Sequence, residues 1–273
     1  MRRIVALFMI LVTVSLCSCA RTPEKVGGLE VYCFSAGKAD AFLLSTKESA
    51  VLIDTGLNGF GAEVLGVMKE KGISKLDCMI ITHFDKDHVG GASEIINGCA
   101  VENVLQSNYE KNSDEYRKYV KALSEKKLEA NTLREKYVFT LDEAEYTVVP
   151  PEEEVYEKNP SNNSSLIVSV KYGRNSFLFM GDAQKQRVKE FINQNTKTYD
   201  FIKVPHHGKW QGKLDDLFAV TKPTYAVITS SDTDREDVMT LDVLKRAGTK
   251  TFLTRLEPVL VKRDGKKITA DYV

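Results

Sequence analysis

The sequence predicts an α/β fold in which two β-sheets pack face to face, with helices covering their outer sides. Strand-like and helix-like segments alternate along the chain, and the same alternation occurs in both halves. In each half, polar residues follow directly after the ends of apolar strands. No linker rich in proline, glycine or serine divides the chain after residue 28, so we expect residues 29–273 to form one domain.

The composition is that of a folded protein without a charge bias. Hydrophobic residues make up 42% of the 273 residues and charged residues 28%, and both values are ordinary for globular proteins. The 38 basic residues balance the 38 acidic ones, so the formal charge is +0. This balance excludes a global attraction to nucleic acid or to anionic membranes, and it leaves room only for local basic patches.

Residues 1–19 are predicted to be a signal peptide that ends in a lipobox. A positively charged start precedes the apolar residues 4–16, a run too short to span a bilayer comfortably. Residues 16–19 (LCSC) resemble a bacterial lipobox, so we expect cleavage before Cys19, a lipid on that cysteine and a tether over residues 20–28. A plain signal peptide and an uncleaved anchor are the alternatives, and all three place the domain outside the cytoplasmic membrane.

Hydrophobic periodicity predicts the elements of the first half. Alternating or continuous apolar residues indicate strands at 29–35, 41–45, 50–53, 76–81 and 101–105. Apolar residues at helical spacing indicate helices at 60–71, 92–97 and 112–130. The charged residues of the third helix are expected on its solvent side.

Short strands between residues 137 and 149 and an acidic loop at 150–160 lead into the second half. This half is predicted to contain strands at 165–170, 176–180, 200–204 and 225–229, and helices at 184–193, 214–220 and 238–247. The cysteines of the predicted domain, Cys33, Cys78 and Cys99, have no zinc-finger spacing, so we expect them to be free thiols.

The most informative stretch is residues 82–91 (THFDKDHVGG), which follows the apolar strand at 76–81. It places His83, Asp85, Asp87 and His88 within six positions on a loop that ends in two glycines. Imidazole and carboxylate groups held close together by a tight turn are ligands for divalent metal ions. A lone His-x-Asp would be an ordinary polar loop, but the distribution of the histidines argues for a metal site.

All four histidines of the chain lie in this motif or in one other, residues 204–208 (VPHHG), which contains His206 and His207. That motif also follows a predicted strand. Asp54, at the end of the strand at 50–53, has two interpretations. It orients a metal-bound histidine through the second ring nitrogen, or it caps the helix that follows.

Six motifs together resemble the metallo-β-lactamase superfamily of metallohydrolases, and the similarity is closer to the soluble hydrolase domain of ComEC-type competence proteins. The motifs occur in the family order at residues 36–41 (AGKADA), 52–56 (LIDTG), 82–91, 162–166 (NNSSL), 179–182 (FMGD) and 204–208. The resemblance covers residue 29 to the C-terminus. It implies an αββα sandwich with a two-metal site at its edge.

The resemblance also assigns roles to residues. It implies that His83 and Asp85 bind a first metal ion, and that Asp182 bridges two ions. The second ion is assigned to Asp87, His88 and His207.

His207 fits the family's Pro-x-His-Gly pattern better than its neighbour, which leaves His206 as a proton donor or substrate contact. Which of these two adjacent histidines is the metal ligand stays open. Asp40 and Asp54 are expected to position the metal-bound side chains.

Two departures from the family pattern concern the first ion. The superfamily usually has histidine where this chain has Asp85, and residues 162–163 (NN) occupy the region of a further histidine. Oxygen ligands favour Mn²⁺ or Mg²⁺ relative to zinc at that position. We therefore expect two divalent ions, of manganese or zinc. A third departure, at residues 230–237, is the absence of an aromatic-Gly-His-Pro stretch, and it weakens the case for DNA as substrate.

The implied activity is that of a metal-dependent hydrolase, most simply a phosphodiesterase or nuclease at the cell surface. Two ions about 4 Å apart activate water and neutralise the charge of a phosphodiester. Asp87 and His206 are the expected catalytic groups, and the expected substrate contacts are Asn163, Ser164, Ser165 and Lys209. Lys203, Lys209 and Lys213 form a basic patch beside the only tryptophan, and this patch fits a nucleotide or an ordinary surface turn. An esterase for cell-wall choline- or polyol-phosphate and a non-catalytic, metal-stabilised binding module are the alternatives.

Overall fold

The structure is a computed structural model, and it describes residues 27–263 and 267–273. The predicted signal peptide, its lipidation site Cys19 and residues 20–26 of the tether lie outside the described residues. The strands are β1 (Leu29–Cys33), β2 (Ala41–Ser45), β3 (Ala50–Thr55), β4 (Lys75–Leu76), β5 (Cys78–Ile81), β6 (Ala100–Val101), β7 (Val104–Gln106), β8 (Ala130–Thr132), β9 (Tyr137–Leu141), β10 (Ala144–Val149), β11 (Ile167–Tyr172), β12 (Asn175–Phe179), β13 (Phe201–Lys203), β14 (Tyr225–Ile228), β15 (Lys250–Leu253), β16 (Val259–Arg263) and β17 (Ile268–Tyr272).

The helices alternate with these strands as predicted. They are α1 (Gly61–Glu70), α2 (Lys86–Val89), α3 (Ala92–Gly98), α4 (Asp114–Lys126), α5 (Pro160–Asn163), α6 (Lys185–Gln194), α7 (Leu214–Thr221) and α8 (Val238–Arg246), with a 3₁₀ turn at Pro205–Gly208. Within the described ranges, no helix combines the length and the apolar character that crossing a membrane would require.

Two large mixed sheets form the centre of the fold. The first has the order β17-β16-β1-β2-β3-β5-β7-β8, and the second has the order β15-β14-β13-β12-β11-β10-β9. Pairing in the first sheet is parallel from β3 to β8, and in the second it is parallel from β12 to β15. Strands β4 and β6 form a small separate ladder.

The two central strands β2 and β3 are apolar almost throughout because both of their faces are buried. Phe42 belongs to the core between the sheets and contacts Phe179 of the opposite sheet, with ring centroids 5.3 Å apart. The next residue, Leu43, faces the other way and joins the core beneath the helices. Alternation along a strand thus supplies both cores from one apolar run.

Helices cover the outer face of each sheet. Residues of α1, α3 and α4, among them Val64, Ile95 and Tyr119, pack on the first sheet. Residues of α6, α7 and α8, among them Val188, Phe218 and Leu244, pack on the second. The layers are therefore helix, sheet, sheet and helix, which confirms the predicted αββα sandwich.

Several predicted elements have different bounds in the structure, and the strand predicted at 101–105 is divided into β6 and β7. The strand predicted at 76–81 is divided at Asp77, whose backbone N–H and carboxylate bond the backbone of Ala50 at 2.9 and 2.8 Å. The helix predicted at 112–130 ends at Lys126, because Lys127 adopts a left-handed conformation with φ of 53° and closes the helix. Residues after it form β8 instead.

Candidate metal centre

The ends of five strands bring the polar motifs together. Strands β3 and β5 are parallel neighbours in the first sheet, and β12, β13 and β14 are parallel neighbours in the second. The loops that follow parallel strands emerge at one edge of each sheet, where ligand sites of α/β proteins form. Because the sheets pack face to face, both sets of loops meet at the same edge of the sandwich.

Four of the predicted metal ligands form one group at this edge. Ligand atoms of Asp87, His88, Asp182 and His207 all lie within 4.8 Å of one another. The two oxygens of Asp182 face different histidines, with Oδ1 3.3 Å from His88 Nε2 and Oδ2 3.2 Å from His207 Nε2. His207 Nε2 also lies 3.4 Å from Asp87 Oδ2.

The ring nitrogens in this region fit a bound cation. The Nε2 atoms of His83, His88 and His207 are buried, and none has a hydrogen-bond partner among the described residues. Leaving a buried polar atom unpaired costs about 1–3 kcal/mol, so such atoms need a reason. Imidazole nitrogens combined with carboxylate oxygens are a donor set for first-row divalent metals. The residues present therefore suit a metal ion.

The opposite nitrogens of two rings are held by buried partners. His88 donates through Nδ1 to Asp54 Oδ2 at 2.8 Å, and His207 donates through Nδ1 to the Thr229 carbonyl at 3.0 Å. Asp54 in turn accepts the Thr82 backbone N–H at 2.8 Å and the Thr82 hydroxyl at 2.7 Å. These bonds leave Nε2 of both rings facing the group. Asp54 thus orients a histidine, and the residue that precedes α1 is Phe60.

Asp40 is tied into the site through a buried lysine. Lys203 Nζ lies 2.5 Å from Asp40 Oδ2 and 3.4 Å from Asp182 Oδ1, and it donates to the Gly181 carbonyl at 2.8 Å. Asp40 also accepts the Thr229 hydroxyl at 2.6 Å. The sequence placed Lys203 in a surface patch, and this is corrected: the side chain is fully buried beneath the site.

The electrostatics of the group keep its carboxylates ionised. Burial favours the neutral acid at Asp182, but His207, His88 and Lys203 outweigh it and hold the pKa well below its ordinary value. Burial opposes a charge on His88 and His207 as well, yet Asp182 raises the pKa of both rings. Burial, with a smaller contribution from His88, lowers the pKa of His83 to about 4, so this ring is neutral at pH 7.

The predicted ligands of the first ion are arranged differently. Asp85 Oδ2 lies 3.9 Å from His83 Nε2, and Asp85 Oδ1 accepts a hydrogen bond from Lys111 Nζ at 2.6 Å. The Ser161 hydroxyl donates to the same Asp85 oxygen. The ring of His83 lies against that of His88, with centroids 4.1 Å apart. The structure thus places His83 beside the group of four and engages Asp85 elsewhere.

Three predicted substrate contacts are buried and bonded to the protein. Asn163 Oδ1 accepts two backbone N–H groups at the start of α6, at 3.2 and 3.3 Å. The Ser164 hydroxyl donates to the Pro160 carbonyl at 2.6 Å, and the Ser165 hydroxyl accepts the Asp182 N–H at 3.0 Å. These side chains fix α5, α6 and the Asp182 loop, so the geometry gives no support to direct substrate contacts by them.

The predicted basic patch is neutralised by acidic partners. Lys209 Nζ lies 2.6 Å from Asp234 Oδ1 and donates to the Arg235 carbonyl at 2.7 Å. Lys213 Nζ lies 2.6 Å from Asp216 Oδ2. These lysines therefore do not form a free cationic surface for nucleic acid.

The two adjacent histidines point to different places because their backbone is strained. His206 and His207 have φ of 48° and 51°, and Gly208 follows with φ of 73°. Non-glycine residues in this left-handed region cost on the order of 1–3 kcal/mol each and cluster at functional sites. The turn brings His207 into the group of four, while His206 stays half-buried at its margin, with Nδ1 3.4 Å from Gln184 Nε2.

Three residues of the site were missed by sequence reasoning, namely Thr229, Lys111 and Ser161, and Lys203 was assigned to the surface. Thr229 directly follows β14. It could therefore have been predicted as a polar residue at a strand end, as Asp54 was. Lys203 lies between apolar residues of a strand, which is an unusual place for an unpaired lysine. Lys111 and Ser161 lie in polar segments that resemble any surface loop.

Comparison with known proteins agrees with this architecture. The family model described as the metallo-beta-lactamase superfamily matches residues 35–230, a range that includes the whole group of four. Among solved structures, the metallo-beta-lactamase fold protein YhfI from Bacillus subtilis aligns with a TM-score of 0.59 and 9% identity, covering 89% of this chain and 100% of that chain. At this identity the similarity is evidence for the fold.

Two curated relatives match most of the chain. ComE operon protein 3 of Bacillus subtilis (strain 168) is 26% identical over 226 residues, which cover 76% of this chain and 29% of that protein. Recombination protein 2 of Haemophilus influenzae (strain ATCC 51907 / DSM 11121 / KW20 / Rd) is 25% identical over 206 residues, which cover 74% and 24%. The chain therefore spans less than a third of the length of either relative. The predicted resemblance is confirmed.

Proposed function

The chain belongs to the metallo-beta-lactamase superfamily, and on this premise we propose that it is a metal-dependent hydrolase that cleaves phosphodiesters at the cell surface. One observation carries the proposal: Asp87, His88, Asp182 and His207 converge within 4.8 Å of one another at the end of the sandwich. These residues would hold a divalent cation, which would lower the pKa of water and neutralise charge on a phosphoryl oxygen. The family resemblance implies two such ions, of manganese or zinc, and the group of four would hold one of them.

The protein's own groups have separate tasks in this proposal. The side chain of Asp87 is 19% exposed, compared with 4% for Asp182, so substrate and water approach from the Asp87 side. Burial opposes ionisation of Asp87, but the His207 ring, 3.4 Å away, and the charge of His88 hold the pKa of Asp87 well below its ordinary value. An ionised Asp87 accepts a hydrogen bond from the attacking water and orients it.

His206 is assigned the contact with the leaving oxygen. Burial lowers its pKa, so the ring is neutral at pH 7 and donates a hydrogen bond without adding a charge. Its position at the margin of the group suits a substrate that enters beside Asp87.

The substrate class rests on chemistry and on relatives. A site with ionised carboxylates and bound cations suits an anionic diester better than a neutral amide. One curated relative is named a recombination protein, which favours DNA among the phosphodiesters. To test this, the rate at which the protein degrades single-stranded DNA is compared with the rate at which it releases choline phosphate from cell walls. Faster release of choline phosphate would support the alternative, a cell-wall esterase.

The proposed location rests on the sequence of residues 1–19. A lipid on Cys19 would hold the domain at the outer side of the cytoplasmic membrane. Mass spectrometry of the N-terminus of the purified protein is expected to show a lipid-modified Cys19 and no residues 1–18. An N-terminus that still carries residues 1–18 would show that an uncleaved anchor holds the protein.

Hydrolysis of bis-p-nitrophenyl phosphate with Mn²⁺ tests the activity. Asp87→Asn is expected to lower kcat about 100-fold or more, because the neutral amide is a weaker acceptor for the water and a weaker ligand for the cation than the carboxylate. Asp232→Asn is the matched control, since that side chain is 70% exposed, and its rate should equal that of the unaltered protein. A protein that binds metal tightly but turns over no phosphodiester would instead be the non-catalytic binding module, which the engagement of Asp85 by Lys111 favours.

A further inference from the structure

Asp85 already has a cationic partner within the protein. The Lys111 ammonium lies 2.6 Å from Asp85 Oδ1, and the Ser161 hydroxyl donates to the same oxygen. The two donors come from different elements, the loop between β7 and α4 and the short helix α5. Asp85 is therefore fixed from two sides, and a metal ion that needs this carboxylate has to compete with an ammonium group.

The position of Lys111 follows from the sheet. Strand β7 runs parallel to β5, and its last residue, Gln106, lies opposite Ile81. The loop after β7 therefore leaves the sheet beside the loop that carries His83 and Asp85. Ser107 anchors this loop by donating to the Ser164 carbonyl at 2.7 Å. This geometry keeps Lys111 next to Asp85.

We propose that the Lys111 ammonium takes the place of the second divalent ion, so that the chain binds one metal ion tightly, at Asp87, His88, Asp182 and His207. His83 then contributes its ring to the wall of the site without a complete set of neighbouring ligands. Lys111 occupies Asp85 Oδ1, so a second ion would have to use Asp85 Oδ2, which lies 3.9 Å from His83 Nε2. An ion on that oxygen would share one carboxylate with the ammonium, and the repulsion between the two cations opposes its entry. The lysine thus supplies a fixed positive charge at Asp85 in place of that ion.

The proposal concerns the metal stoichiometry and does not rest on phosphodiesterase activity. A chain without any turnover would still reveal how many ions it binds. Likewise, an active enzyme with two equally tight ions would leave the proposed function intact and overturn this inference.

Titration of the full-length, chelator-treated protein with Mn²⁺, followed by calorimetry and elemental analysis, tests the inference. The unaltered protein is expected to bind one equivalent tightly. Lys111→Met keeps an unbranched side chain, shorter by the ammonium nitrogen, and removes the charge. This variant should bind the second equivalent at least tenfold more tightly. Lys111→Arg keeps the charge and should behave as the unaltered protein does. The Lys111 side chain is 38% exposed, so these variants should fold.

The double variant Lys111→Met/Asp85→Asn identifies where the second ion binds. It removes the carboxylate that Lys111→Met sets free, and it should return to one tight equivalent. Two equivalents of similar affinity in the unaltered protein would overturn the inference, as would a Lys111→Met variant whose second equivalent binds no more tightly than before.

Discussion

The two sides of the metal centre are built from the same residue types but differ in how the protein holds them. On one side, His88 is fixed by Asp54 and His207 by Thr229, through hydrogen bonds of 2.8 and 3.0 Å. On the other side, His83 Nδ1 has only long contacts, at 3.2 and 3.4 Å, to two hydroxyl groups.

The carboxylates Asp182 and Asp85 also differ in how the protein holds them. Asp182 lies between two histidines with a buried lysine behind it, so its oxygens face the group of four. Asp85 is turned toward Lys111 and is bonded to it at 2.6 Å. A ligand-like residue at a strand end is therefore not sufficient for a metal site. The partners that fix its orientation decide whether it faces the ion.

Removal of one histidine from each side is the strongest test of this difference. His207→Ala takes a donor from the group of four and should weaken the tight Mn²⁺ site by about 100-fold or more. His83→Ala should weaken it by less than about tenfold, because His83 lies beside that group. Both affinities are measured by calorimetry with Mn²⁺. Equal losses in the two variants would abolish the distinction between the two sides.

Substitution of the supporting aspartate separates orientation from ligation. Asp54→Asn keeps the shape but replaces the carboxylate that accepts from His88, and metal affinity should fall about 10- to 100-fold. Asp85→Asn is the matched substitution on the other side and should leave the tight site within about threefold of its original affinity, since Asp85 bonds Lys111 instead. Circular dichroism would verify that both variants stay folded. A larger loss in Asp85→Asn would place that carboxylate on the tightly bound ion.

The pH dependence of metal binding should also distinguish the two sides. Asp182 raises the pKa of His88 and His207 against the opposing effect of burial, so their stabilisation of the metal-free protein is fully present below about pH 6.5 and is lost as the pH rises through the raised values. A metal ion has to displace these protons, so its binding strengthens as pH rises. The shift in Tm on adding Mn²⁺ should be larger at pH 8 than at pH 6. Burial lowers the pKa of His83 to about 4, so this ring is neutral at pH 6 and at pH 8. A shift in Tm that does not depend on pH would therefore indicate that Mn²⁺ binds at His83.

Sequence reasoning located the site well because its main determinants are local. The apolar runs before Asp54, His83 and Asp182 mark strand ends, and their alternation with helices predicts the layers. The partners that distinguish the two sides were not predictable in this way. Lys203 reaches Asp40, and Lys111 reaches Asp85, only because the sheets bring distant segments together.

The same limit explains the substrate contacts that were predicted but are buried. Asn163, Ser164 and Ser165 form a polar run that, in one dimension, has the composition of an exposed loop. In the fold, the run passes between the two sheets' loops, and each side chain satisfies a backbone group nearby. Polarity indicated that these residues bond something, but not whether the partner is the protein or a ligand.

The smallest expected effect comes from the second donor to Asp85. Ser161→Ala removes a hydrogen bond to this carboxylate but keeps Lys111 in place, so Asp85 gains limited freedom to face a second ion. A net hydrogen bond of about 1 kcal/mol corresponds to an increase of about fivefold in affinity for the second equivalent of Mn²⁺. Ser124→Ala, at an exposed position of α4, is the matched control and should change nothing. If Ser161→Ala raised the second affinity as much as Lys111→Met does, geometry rather than the ammonium charge would be what keeps the second ion out.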